Sequence, residues 1–202
     1  MSLLLALDGS TTICGYTIWD KDTKKHILIN ALVFDETNTL IEKAEEFEAF
    51  LKDLLINFPE IDEMVIEESF TKFSYSDDKV IAMLNQINIL YRFISYRLGL
   101  KTNTITVQDA RKGAFPTAKF LSKKMAGGMG HKEQAFVLVL AELGEDIFPK
   151  RMLQKGPRKG EHIFEDHAYD MADSYIVGKG FINPRPVIVK KPKIKKFNKF
   201  KY

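Results

Sequence analysis

Two apolar runs that each end in a carboxylate constrain this chain most. Leu3-Leu4-Leu5-Ala6-Leu7 is followed by Asp8, and Met64-Val65-Ile66 by Glu67. Both runs read as core strands, so each acid closes a rigid core element instead of sitting on a solvated loop. Asp170 and Asp173, three residues apart, share one face of a predicted helix made largely apolar by Ala172, Tyr175, Ile176 and Val177. Acids in such places must be paired, protonated or neutralised by cations. No Arg or Lys adjoins any of the four in sequence. A divalent cation held by several oxygens, as Mg²⁺ prefers, is the simplest remedy.

The order of elements brings these acids together. Residues 3–8, 14–20 and 27–34 read as three successive strands, joined by the turns Gly9-Ser10-Thr11-Thr12 and Asp20-Lys21-Asp22-Thr23. Leu40, Ala44, Phe47, Phe50 or Leu51, Leu54 and Phe58 recur at helical spacing, which predicts a helix over 40–57, closed by Pro59. A short strand over 63–67 follows, then a helix capped by Asp77 or Asp78 and stopped by Gly99. Beyond it lie a fifth strand over 102–107, an irregular stretch over 116–130, a helix over 131–143 and a basic loop over 149–160. A last helix is capped by Asp166 and reaches about Val177. Hairpins are antiparallel and helical crossovers parallel, so the fold class is α/β, a five-stranded mixed sheet flanked by helices. The fourth strand then lies beside the first and sets Asp8 near Glu67, while the last helix adds Asp170 and Asp173. Adjacent strand residues point to opposite faces, and hydrophobic alternation leaves Glu67 and Glu68 as equal choices. Four converging carboxylates are stable mainly when they hold cations. Two Mg²⁺ about 4 Å apart suit in-line displacement at phosphorus, one activating water and the other stabilising the leaving 3′ oxygen.

Composition narrows the classes further. The chain has 202 residues, 45% of them hydrophobic, which suits one domain with a full core. It has no apolar stretch of membrane-spanning length, and no basic leader precedes Leu3; a cytoplasmic location is expected. A single Cys14 excludes an internal disulfide and a cysteine-based zinc site. The net charge of +3 hides an asymmetry. Nine of the 30 basic residues and none of the 27 acids follow Asp173, so residues 1–173 carry about −6. A basic tail on an acidic body usually meets a polyanion.

Three segments carry a family resemblance. Leu-Ala-Leu-Asp8-Gly-Ser-Thr-Thr-Ile-Cys-Gly15-Tyr, Val-Ile-Glu67-Glu-Ser-Phe70 and His167-Ala-Tyr-Asp170-Met-Ala-Asp173-Ser resemble, in order and spacing, the acidic motifs of RuvC-type Holliday junction resolvases of the ribonuclease H-like superfamily, with a phage-type look. The resemblance implies a ribonuclease H-like nuclease domain over 1–180, followed by a basic tail over 181–202. It selects Glu67 over Glu68 and makes Asp8, Glu67, Asp170 and Asp173 ligands of two Mg²⁺, with Mn²⁺ as a substitute. It implies that Phe70 stacks on a base near the branch point, where strand-end packing is the plain alternative. Lys132 falls where a phosphate-contacting lysine is expected; Lys112 is a second such position, with Arg111 as its rival. This chain departs from the family's usual Asp-Pro-Gly in having Asp8-Gly-Ser, and the Gly127-Gly128-Met129-Gly130 segment, the 149–160 loop and the tail are additions. His167 is either an extra ligand or proton shuttle, or a cap.

The expected partners are branched DNA and a second copy of the chain. Lys190, Lys191, Lys195 and Lys196, interleaved with Phe197, Phe200 and Tyr202, suit phosphates and unpaired bases. A two-fold junction calls for a dimer, and the second helix offers Val80, Ile81, Leu84, Ile87, Leu90, Tyr91 and Ile94 for it or for the core. Competing readings are a less selective flap or branch nuclease, a ribonuclease H, and a non-catalytic nucleic-acid-binding module. An actin-like ATPase, suggested by Asp8-Gly-Ser-Thr-Thr, needs two lobes that 202 residues do not provide.

Overall fold

Ser10 writes the turn that follows Asp8. Its Oγ accepts from the amides of Thr12 (3.3 Å) and Ile13 (3.0 Å) and donates to the Ile13 carbonyl (2.7 Å). Strand β1 (Leu3–Gly9) therefore folds straight back into β2 (Ile13–Asp20), which turns into β3 (Lys25–Val33). The capping box of Thr39 and Glu42 opens α1 (Leu40–Asn57), which returns the chain to β4 (Ile61–Glu67), parallel to β1. A second crossover through α2 (Asp78–Arg97) adds β5 (Lys101–Ile105), giving the order β3-β2-β1-β4-β5. The computed structural model describes residues 2–68 and 78–184. The five-stranded mixed sheet with helices on both faces is the expected one.

Strand β1 is central and buried on both sides, which is why it reads as an unbroken apolar run. Leu3, Leu5 and Leu7 pack with Phe47 and Leu51 of α1 and Ile87 and Tyr91 of α2. Leu4 and Ala6 face the other layer. That layer comprises α4 (His131–Leu143), α5 (Asp166–Ile182) and a short α3 (Val107–Ala114). Alternation continued by one step puts Asp8 on the α5 side. On β4, Val65 belongs to the α5-side cluster while Met64 and Ile66 belong to the other, so Glu67 shares the face of Asp8.

Missing side chains bring α5 onto the sheet. A Cβ on Gly15 would lie 2.0 Å from the Asp170 carbonyl oxygen, and one on Gly178 2.1 Å from Trp19 Nε1. Between them, Thr17 and Ser174 share a buried hydroxyl–hydroxyl bond of 2.8 Å.

Several elements differ from the sequence reading. Strand β5 ends at Ile105 because Thr106 caps α3, its Oγ1 accepting from the Asp109 amide at 3.1 Å. The run Thr102–Val107, β-branched except at Asn103, hid that cap. The expected 149–160 loop begins as a short strand, β6 (Lys150–Met152), which pairs antiparallel with β7 (His162–Phe164) just beyond it. Asp166 is the first residue of α5, preceded by Glu165 at the cap, and α5 runs to Ile182, past Val177 and two residues into the expected tail. Its Gly178 and Gly180 are packing contacts with Trp19 and Ala110, not stops.

Candidate active site

The acids meet where β1, β4 and α5 converge. Leu7 pairs with Ile66, so the next residues, Asp8 and Glu67, end side by side at the carboxyl edge of the sheet. Two side chains of α2 hold these strand ends: Asn88 Nδ2 donates to the Glu67 carbonyl (2.9 Å) and Tyr91 OH to the Ser10 carbonyl (3.1 Å). Glu68, beyond the strand end, is exposed. Asp8, Glu67 and Asp173 line a cleft of about 470 Å³ with Val107, Gln108, Arg111, His131 and Lys132. Asp170 faces the neighbouring cleft of about 600 Å³, which also holds Ser10, Thr12, Phe34 and Tyr169. Lys132 lines both clefts.

The electrostatics are those of an under-neutralised anionic cluster. Burial, then the charges of Asp173 and Glu67, raise the Asp8 carboxyl well above its usual range. Burial and the Asp173 charge push Glu67 up to about 7 against the pull of Arg111 and Lys132. Burial also raises Asp173, although Lys132 and Arg111 oppose it. Two cations therefore reach the cluster through space where none adjoined it in sequence. Lys132 Nζ lies 2.8 Å from Asp170 Oδ1 and 3.3 Å from Asp173 Oδ2. Burial disfavours the Lys132 charge, but Asp173, Asp170 and Asp8 outweigh it and its pKa rises. Glu63, toward the start of β4, shows the contrast: Lys101 (2.7 Å) and Lys21 (3.1 Å) pair with it, and its carboxyl is held below the usual range. At the Asp8 end, four acids share two cations. Among the described residues, no three His, Cys, Asp or Glu side chains close into a ready-made cage. The all-oxygen donor set and its surplus negative charge nonetheless suit a hard divalent cation.

The remaining sequence-derived residues divide cleanly. Arg111, not Lys112, lines the acid cleft; Lys112 is exposed on the next position of α3. The buried Nε of Arg111 has no hydrogen-bond partner, and its guanidinium lies 5.6 Å from the Phe120 ring centroid. His167 lines neither cleft; its Nδ1 lies 3.6 Å from Glu165 Oε2. His131, which the sequence reading did not single out, lines the acid cleft instead. Its position before Lys132 at the start of α4 was the available signal. Phe70, Lys190, Lys191, Lys195 and Lys196 lie outside the described residues. On α2, Ile87, Tyr91 and Ile94 are buried in the fold, while Ile89, Phe93 and Tyr96 are 62%, 56% and 73% exposed. Of the expected set, Val80 is 50% exposed and Ile81, Leu84 and Leu90 are half-buried, so the more open apolar stripe of α2 is only partly the expected one.

No family model matches the sequence, and no curated protein matches it. Solved structures do. RuvC of Thermus thermophilus in complex with a Holliday junction substrate superposes with a TM-score of 0.57 at 13% identity, covering 90% of this chain and 94% of that one. A second Thermus thermophilus RuvC structure gives 0.54 at 13% identity, over 88% and 92%. The yeast mitochondrial Holliday junction resolvase Ydc2 gives 0.48 at 14% identity, over 90% and 78%. The fold of this chain, on the strength of the two Thermus structures, is that of the RuvC-like resolvases.

Proposed function

We propose that this protein is a divalent-metal-dependent, structure-selective endonuclease that resolves four-way DNA junctions and related branched DNA such as flaps and Y-forms. The observation that carries the reading is the convergence of Asp8, Glu67, Asp170 and Asp173 from three elements, with Lys132 and Arg111 beside them. Asp8, Glu67, Asp170 and Asp173 would hold Mg²⁺, or Mn²⁺ in its place. When bound, the metal supplies Lewis acidity that lowers the pKa of water and stabilises the leaving oxygen.

The chain's own residues do the rest. Asn88 and Tyr91 fix the two strand ends, so that Asp8 and Glu67 meet the substrate already aligned. Lys132 bridges Asp170 and Asp173 as their counter-charge and, on the rim of both clefts, contacts the scissile phosphate once substrate arrives. Arg111, lining the same cleft as Asp8, Glu67 and Asp173, offers a second phosphate contact through its guanidinium. Phosphodiester hydrolysis leaves 5′-phosphate and 3′-hydroxyl ends. Phe70 stacks on a base at the branch point, and Lys190, Lys191, Lys195 and Lys196 of the tail neutralise phosphates. The exposed Ile89, Phe93 and Tyr96 pair with those of a second copy, giving the homodimer that a two-fold substrate requires. Among the described residues no helix is long and apolar enough to cross a membrane, and the protein works on DNA in the cytoplasm.

Cleavage of labelled four-way junction, flap, Y-form and RNA–DNA hybrid, each in Mg²⁺ and in EDTA, tests the reading. Preferential, Mg²⁺-dependent cutting of the junction is expected, with Asp8→Asn and Asp173→Asn binding junction but not cutting it. Equal cutting of flaps would reduce it to a debranching nuclease, and preference for the hybrid to a ribonuclease H. Near-normal activity of either variant would overturn the site.

A further inference from the structure

The basic hairpin between α4 and α5 has no role in the site described above. From Lys150 to His162 it carries five basic residues and one acid; the rest of residues 1–173 carries 16 basic and 26 acidic. A segment of +4 thus stands on a body of about −10. Two of its charges are used locally, Lys150 by Glu145 (2.6 Å) and Arg158 by Glu161 (2.7 Å). Arg151, Lys155 and Lys159 are exposed and, among the described residues, have no acid within ion-pair distance.

The hairpin is built and anchored, unlike a solubilising loop. Beyond the short ladder of β6 and β7, the Leu153 amide donates to the Glu161 carbonyl and the Gly160 amide to the Leu153 carbonyl, both at 2.9 Å. Gly156 and Gly160, at φ 87° and 90°, make the turns at its tip. Its base rests on the helices that carry the site. Phe164 and Phe148 pack on Phe136 of α4 with ring centroids 4.9 and 5.3 Å apart, and Tyr169 of α5 packs on the same ring at 4.4 Å. Lys132 lies one turn before Phe136, and Asp170 directly follows Tyr169. The hairpin is therefore anchored on the same two helices that carry Lys132 and Asp170. Its tip extends about 15–20 Å from that base, a distance of roughly five base pairs along duplex DNA. The tip, Gln154 to Gly160, has no aromatic side chain, so it suits regularly spaced phosphates better than unpaired bases.

We propose that hairpin 150–162 grips the sugar–phosphate backbone of the duplex arm flanking the scissile phosphate, through Arg151, Lys155 and Lys159. This rests on the nuclease reading and deepens it by assigning the part of the substrate the hairpin holds. The test compares the full-length protein with R151S/K155S/K159S for binding to a labelled four-way junction, with Ca²⁺ in place of Mg²⁺, across a salt series. Three lost phosphate contacts should make the slope of log K against log[salt] shallower by about 2.7 and raise Kd at least ~10-fold at about 0.1 M salt. Hydroxyl-radical protection of the flanking arm, roughly three to seven base pairs from the cut, should disappear. K155S/K159S, confined to the tip, should lose about 1.8 of the slope and serves if the triple variant does not fold. An unchanged slope, or a shallower slope with arm protection intact, overturns the proposal. Junction cleavage by the wild type, scored in parallel in Mg²⁺, separates the two readings. Wild-type cutting with an unaffected variant sinks the hairpin alone, whereas a wild type that neither cuts nor binds sinks both.

Discussion

Gly15→Ala tests whether backbone approach, not side-chain contact, sets the catalytic geometry. Gly15 sits opposite Asp8 in the β1–β2 register, under the first turns of α5. An added Cβ would lie 2.0 Å from the Asp170 carbonyl oxygen and 2.3 Å from its carbon, whereas ordinary contact begins near 3.4 Å. No rotamer relieves a clash with backbone, so α5 must retreat by about 1.4 Å at Asp170. Overpacking of this kind costs roughly 1–3 kcal/mol, or about 2–12 °C in Tm for a chain of this size. Misplacing a reacting group by 1 Å costs roughly 100-fold in rate. Single-turnover cleavage of a labelled junction and a thermal melt measure the two effects. Gly99→Ala is the control: φ is 90° there with nothing within 4 Å, so it costs about 1 kcal/mol without moving α5. The expected result is a loss of order 100-fold in cleavage for Gly15→Ala, far beyond the control. Cleavage within twofold of wild type, with the melt lowered, would refute the claim that Gly15 places Asp170.

Further predictions address charge, support and assembly. Glu67 keeps its proton to about pH 7 in the fold, against 4.5 for the ordinary group, so the native state binds the extra proton. Without divalent metal, stability should therefore fall by up to about 3 kcal/mol as pH rises from about 4.5 to 7 and level off above it. Melts of wild type and Glu67→Gln check this; a wild-type curve flat across that window would contradict it. Arg111→Ala should slow cleavage at least ~10-fold while Lys112→Ala stays within about twofold; the reverse order would restore Lys112. Asn88→Ala, which frees the partly buried Glu67 carbonyl, should cost about 1 kcal/mol and slow cleavage, read by melt and rate together. Phe93→Asp/Tyr96→Asp should sediment as monomer at micromolar concentration, and a wild type that is itself monomeric with and without junction would remove the dimer.

The acids were legible because a continuous apolar run ended by a carboxylate is a one-dimensional signal. Asp8 and Glu67 carry it in single strands, and topology follows from the strand–helix order. The choice between Glu67 and Glu68 was not legible from pattern alone: β4 is apolar on both faces, so only its packing partners reveal which way each residue points. Arg111 was obscured for another reason. Its helix begins inside a β-branched run, and without the Thr106 cap no periodicity distinguishes Arg111 from Lys112. The Lys132 pairing spans 38 residues of sequence and belongs to the packing of α4 on α5, which no local pattern encodes.

Helix α2 carries two duties on successive residues. Asn88 faces inward and holds the Glu67 carbonyl, while Ile89 faces outward with Phe93 and Tyr96. A partner seated on the outer stripe would therefore press, one peptide away, on the strand end that carries Glu67. Two copies joined back to back along this helix would turn on a common axle, so that seating the dimer and aligning both cutting sites become one mechanical event.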